Sequence, residues 1–194
     1  MRHFRVKRGQ IVMSFKPFEA DLLIEFFGQV RALLLERAAE IGQSTAYAED
    51  PSDETALLAA LESSMRPVPP PTDAVLARLL PSGRRDVAPS SGESAVEFRR
   101  FTESDLRERK VQDATTAENL MRDAQEISLD DAQVLLRALN DVRLSLGTRL
   151  DVDEETPYPR KITTDHDQAL AIYFWTGGVQ EQLLDALMSI DEDV

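Results

Sequence analysis

Two short stretches bring carboxylates, and in one case an imidazole, close enough together to suggest cation chemistry. Asp151-Val152-Asp153-Glu154-Glu155 opens like a calcium loop, in which alternating carboxylates wrap an ion in oxygen. That pattern then needs a glycine six positions in and a bidentate glutamate at the twelfth, where Thr156 and Ile162 stand. The stretch reads as a solvated acidic loop. Asp165-His166-Asp167 suggests a metal site too, but successive helical side chains point about 100° apart and cannot converge on one ion. Acids in a first helical turn, complementing the helix dipole, are the better account.

Two basic clusters carry more weight. In Arg99, Arg100, Arg107, Arg109 and Lys110, helical spacing sets Glu103 three or four residues from Arg99, Arg100 and Arg107. This is the pattern of an ion-paired surface. A nucleic-acid face is the lesser reading, because the neighbouring Phe98 and Phe101 are expected to face the core. Arg137, Asn140, Asp141, Arg143 and Arg149 sit in the most apolar helical stretch, with Arg137 and Asp141 four apart. They are expected to form a structural polar network, with a partner-binding face as the second reading.

What is missing narrows the chemistry further. The chain has no cysteine and two histidines, His3 and His166, far apart in sequence. A thiol nucleophile, a zinc-thiolate site and a disulfide are excluded. No Ser/His/Asp set, glycine-rich phosphate loop or HExxH run is present, so no enzyme, cofactor or metal is expected. Net charge is −13, yet residues 1–16 carry Arg2, Arg5, Lys7, Arg8 and Lys16 and no acid. So acidic a body repels a phosphate backbone, which makes DNA contact secondary to contact with protein. The eighteen arginines against four lysines read as coding bias in a GC-rich genome. The longest apolar run, Ala169 to Trp175, is too short to span a membrane, and no secretory segment is recognisable, so the expected location is cytoplasmic.

The elements that must position these groups follow from periodicity. Phe4, Val6, Ile11, Met13 and Phe15 alternate around Gly9-Gln10, which predicts a β-hairpin over 1–16 with Gly9 first in a type II′ turn. Pro17 suits a first helical position, and Leu22, Leu23, Phe26, Phe27, Val30, Leu33, Leu34 and Ile41 continue at helical spacing to a stop at Gly42. Loops are expected at 43–52, 64–72 and 82–92, with short helices after Ser52 and over 73–80. A helix over 93–101 and a second one opened by Thr102-Glu103-Ser104-Asp105 come next. Ser128 caps a broad apolar stripe of Ala132, Leu135, Leu139, Val142, Leu146 and Leu150. After an acidic loop over 151–164, the last helix begins near Thr164, and Gly177-Gly178 is expected to kink or break it. The fold class is therefore mainly α: one helical domain over 1–194 with a small N-terminal hairpin packed on it.

Glu97-Phe98-Arg99-Arg100-Phe101-Thr102-Glu103-Ser104-Asp105-Leu106-Arg107 and the later run Leu136 to Leu150 (LRALNDVRLSLGTRL) resemble the actinobacterial AosR-like oxidative-stress regulators, long known only as a domain of unknown function. The basic first strand, Ala77-Arg78-Leu79-Leu80-Pro81 and the Trp-containing last helix are similar as well, so the resemblance covers nearly the whole chain. It implies a non-enzymatic transcription regulator tied to redox homeostasis, acting beside a sigma factor or RNA polymerase. The alternative it implies is an adaptor or structural role in Clp-linked protein turnover. Redox sensing in that family is attributed to a cysteine pair, which is absent here. Oxidation of Met13, Met65, Met121 or Met188 is the oxidant chemistry left. The expected partner-binding residues are Arg5, Lys7 and Arg8 on the basic strand, with Arg99, Arg100, Arg107, Arg109 and Lys110. The oligomeric state is left open, a homodimer included.

Overall fold

A computed structural model describes residues 2–7, 9–42, 68–81 and 92–191, without the side chains of 92–98, 100, 101 and 191. The helix expected after Ser52 and most of the expected loops at 43–52, 64–72 and 82–92 lie outside the described residues. Along the chain come β1 (Phe4–Lys7), β2 (Gln10–Met13), α1 (Pro17–Glu40), α2 (Ala74–Leu79), α3 (Gly92–Asp123), β3 (Glu126–Ile127), α4 (Leu129–Arg149) and α5 (Asp165–Asp191). The protein is mainly helical, with the N-terminal hairpin packed on helices. Contacts divide it into two compact units, one of residues 1–31 with 112–194 and the other of residues 32–111.

In the first unit, β1 pairs antiparallel with β2 in the register Phe4↔Met13 to Lys7↔Gln10. The last pair, Lys7↔Gln10, places Gln10 in the strand, so the turn comes one residue earlier than the sequence suggested. Gly9 directly precedes Gln10 with φ +76°, a left-handed conformation that glycine adopts without steric cost. A third strand, β3, adds to β2 through Ile11↔Ile127. Two strands bury too little apolar surface to stand alone, and here β1 packs on α5 and β2 on α4. Phe4, Ile11 and Ile127 are buried from the sheet, and Leu23, Phe27, Leu135, Leu139, Val142, Val179 and Leu183 from the helices.

Helix ends follow local chemistry. Pro17 begins α1, and Gly42 at φ +68° follows its last turn. Ser128 accepts from the Asp131 amide to start α4. Thr164 accepts from the Asp167 amide at 3.1 Å, and Asp167 accepts from the Thr164 and Thr163 amides at 2.9 and 3.1 Å. This is a capping box with aspartate at the third position, so Asp165-His166-Asp167 is a helix start. In the second unit, Asp73 caps α2 by accepting from Leu76 N–H at 2.8 Å, and Val75, Leu76, Leu79 and Leu80 are buried with Leu34, Ala38 and Val68.

Two expected breaks are absent. α3 is one helix through Thr102 to Asp105, because no proline or glycine there prevents continuation and Glu103 is used in buried pairing. α5 also runs unbroken through Gly177-Gly178.

The amides of Thr163 and Thr164 and both threonine hydroxyls lower the Asp167 carboxyl from its ordinary value to about 2. A folded-state value below the unfolded one contributes stability above the unfolded value and loses it as pH falls through the folded one. Asp167→Asn is thus expected to flatten the pH dependence of unfolding between about pH 4 and 2. Urea midpoints across that range check it, and an unchanged acid limb refutes it.

Candidate functional site

The described side chains of α3 that are buried include Arg99, Glu103, Arg107, Asp113 and Glu118, against only Ala114, Ala117 and Met121 among apolar residues. A buried carboxylate is costly unless paired and hydrogen-bonded. Each of these three acids meets an arginine. In the second unit, Glu103 accepts from Arg37 Nε at 2.9 Å through one oxygen and from Arg99 Nη1 at 2.8 Å through the other. Arg37 also donates to the Pro69 carbonyl, and Arg99 to the Leu80 carbonyl at 3.0 Å. The two guanidinium groups thus tie α1, α3 and the segment around α2 to one carboxylate. Arg107 is 2% exposed, and burial lowers its guanidinium from the ordinary value while Glu103 and Glu108 act to raise it. In the first unit, Arg31 donates to Glu118 at 2.8 Å, and Arg137 makes a bidentate pair with Asp113 at 2.8 and 2.8 Å. That hydrogen bonding raises the Arg137 guanidinium.

The expected partner-binding residues therefore separate. Arg99 and Arg107 are buried, with Arg99 committed to Glu103. Arg5, Lys7 and Arg109 are exposed and Lys110 is half-buried. Arg8 and the Arg100 side chain lie outside the described residues. An i,i+4 pattern looks alike on a solvated face and beneath a neighbouring helix, so spacing could not tell these apart.

Of the residues expected to form a polar network on α4, Arg137 and Arg143 bond to groups on other helices. Arg137 pairs across to α3, where an opposing carboxylate meets both prongs of the fork in plane, and Asp141 in its own helix also acts to raise the guanidinium. Arg143 donates to Gln180 at 2.8 Å and lies over the Tyr173 ring, 5.7 Å from its centroid. Asp141 is buried, while Asn140 and Arg149 are exposed.

Arg143 belongs to a groove of about 560 Å³ between α4 and α5, walled by Leu136, Tyr173, Phe174 and Leu184. Glycines let the two helices carry bulky groups there. A Cβ on Gly147 would come within 3.2 Å of Tyr173 Cε2, and one on Gly177 within 3.4 Å of Arg143 Nε. A second groove, also about 560 Å³, lies between β1 and α5 and is lined by Arg2, Phe4, Arg5, Val6, Gln182 and Asp185 with Ala186 and Ser189. Neither groove was evident from the sequence.

Beside the second groove, His3 is buried and stacks on Phe15 at 4.8 Å, with Trp175 edge-on at 6.0 Å. Its Nε2 is 3.6 Å from Glu19, and its amide donates to Gln182 Oε1 at 2.8 Å. The ring therefore acts as a packing element that anchors the start of β1. Among the described residues no group of three or more His, Cys, Asp or Glu is placed to hold a metal ion, and no helix is long and apolar enough to cross a membrane.

Removing one partner of a buried pair leaves an uncompensated charge, which costs about 3–5 kcal/mol, whereas an exposed pair is worth about 0–1 kcal/mol. Glu103→Gln is expected to destabilise by about 3–5 kcal/mol through stranding Arg37 and Arg99. Arg122→Ala, which removes a half-exposed partner of Glu118, is expected to cost less than about 1 kcal/mol. Urea unfolding of both variants decides the point; equal costs would refute it.

The chain is 27% identical over 187 residues to the Mycobacterium leprae (strain TN) protein named "Putative oxidative stress regulator AosR", covering 89% of this chain and 80% of that one. No solved structure matches it. Residues 1–187 match the family described as a domain of unknown function, DUF2017. With that match extending from the basic strand into the last helix, the chain belongs to the DUF2017 family.

Proposed function

We propose that this protein is a non-enzymatic transcription regulator linked to oxidative-stress homeostasis that works mainly through a protein partner such as a sigma factor or RNA polymerase. The observation that carries the reading is the similarity, over most of both chains, to a protein named as an oxidative stress regulator. The charge distribution is consistent with it. An acidic chain that exposes Arg5 and Lys7 on its first strand, and Arg109 on α3, suits a complementary acidic protein surface better than a phosphate backbone. Such complementarity acts chiefly on encounter rate and orientation. The α4–α5 groove, with its aromatic and leucine walls, supports the second reading, an adaptor in Clp-linked turnover.

The test is an affinity pull-down from source-cell lysate, with and without nuclease and at two salt concentrations. The expected result is recovery of sigma factor or polymerase subunits that survives nuclease and weakens with salt. Clp components without polymerase would replace the regulator by the adaptor.

Without thiols, an oxidant can reach this chain through methionine. Met188 is 58% exposed, while Met13 and Met121 are each 8% exposed. Brief peroxide treatment is therefore expected to give sulfoxide at Met188 before Met13 and Met121, read by peptide mass spectrometry. Equal oxidation of the three would show that burial does not protect the core pair.

A further inference from the structure

The strand order β1-β2-β3 leaves β1 at an edge of the sheet. Two backbone hydrogen bonds fix which groups that edge presents. Ser14 N–H donates to the His3 carbonyl at 2.8 Å, so the His3 carbonyl and the backbone groups of Arg5 and Lys7 turn toward β2. Met13 N–H donates the opposite way, to the Gln125 carbonyl at 2.8 Å, which agrees with the same alternation. The amides and carbonyls of Phe4 and Val6 therefore point outward, and no strand among the described residues pairs with that side. The edge is held at its start, since the His3 amide is bonded to Gln182 on α5.

Beside this edge lies the β1–α5 groove of about 560 Å³, with Phe4, Val6 and Ala186 supplying apolar surface and Arg2 and Arg5 supplying charge. We propose that the outer edge of β1 receives an extended acidic segment of a partner protein as an added strand, seated in the groove between β1 and α5. Backbone bonds to Phe4 and Val6 supply affinity, and alternate side chains of the segment read the groove. Its acids lie on the face of Arg5, while the apolar residues between them cover Val6 on the other face, which is 37% exposed. Asp185 on the α5 side repels an acid there, which sets the segment's charged face toward β1. A second copy is the poorer occupant, because edge-to-edge pairing would bring Arg5 and Lys7 against their own kind. This inference names the mode of contact for the partner proposed above and rests on that reading only for the partner's source.

The experiment is a titration of the full, nitrogen-15-labelled chain followed by amide shifts and hydrogen exchange. The probe is a peptide of about seven residues alternating glutamate and valine, beside a counterpart with lysine for glutamate. Slowed exchange and shifts are expected at the Phe4 and Val6 amides, with Arg5 and Lys7 already protected and unchanged. The lysine peptide is expected to give neither. Val6→Pro removes an outward N–H while leaving the ladder to β2 intact, and should weaken binding about tenfold or more with little change in Tm. Arg5→Glu, exposed and remote from the core, should weaken it comparably and keeps the test decisive if the proline variant folds poorly. No response at Phe4 and Val6, equal binding of the lysine peptide, or self-association through β1 seen by sedimentation would overturn the proposal. Sigma-factor recovery unaffected by both variants overturns strand addition and leaves the regulator standing. Peptide binding as expected, with no sigma factor or polymerase recovered, does the reverse.

Discussion

The buried carboxylates of α3 are the constraint on which the helices around it depend. Glu103, Asp113 and Glu118 are each less than one-tenth exposed, and the described part of their helix offers few large apolar side chains to bury in their place. An unpaired carboxylate at such positions would be strongly unfavourable. Arg37 and Arg31 on α1, Arg137 on α4 and Arg99 on α3 itself remove that penalty. Pairs of this kind add little net stability compared with well-packed apolar residues, but breaking one is costly. They act as a register condition: within each unit, the helices are acceptable only where fork and carboxylate meet.

Arginine suits this task for geometric reasons. Its planar fork gives two parallel bonds to Asp113 from Arg137, and from Arg37 it reaches Glu103 and a backbone carbonyl together. Lysine, a point charge with three rotatable donors, cannot reproduce either arrangement. Whatever genomic bias enriches arginine, the fold uses several as internal connectors. The cations left at the surface include Arg5 and Lys7 on β1 and Arg109 on α3.

The hairpin is positioned by the same unit that buries it. His3, Phe15 and Trp175 pack ring against ring, and Gln182 takes the amide at the start of β1. β3 covers the far side of β2. The sheet thus has one side of β2 closed by only two residues and the outer side of β1 exposed along a groove. Arg5 and Lys7 on β1 put like charges beside that edge, which disfavours its pairing with a second copy of itself.

Much of this was legible in the sequence, and the boundary is physical. Helix starts depend on neighbours three residues apart, so Pro17, Ser128 and Thr164 announced α1, α4 and α5, and the three-four spacing of Ala132, Leu135, Leu139 and Val142 named the buried face of α4. The alternation around Gly9 announced a hairpin, although its turn lies one residue earlier. β3 could not be read, because two residues become a strand only when β2 is beside them. The unbroken course of α3 was hidden by a capping pattern whose Glu103 instead pairs with Arg99 one turn earlier and with Arg37 on α1. Which arginines are buried was likewise out of reach: Arg99 and Arg109 belong to one basic run, and only the placement of Arg37, Leu80 and Glu103 around the first distinguishes them. The sequence by itself determined the starts of α1, α4 and α5 and the apolar face of α4, since those depend on local geometry. Tertiary structure alone decided which charges are internal and which edge is open, since both depend on what lies across space rather than along the chain.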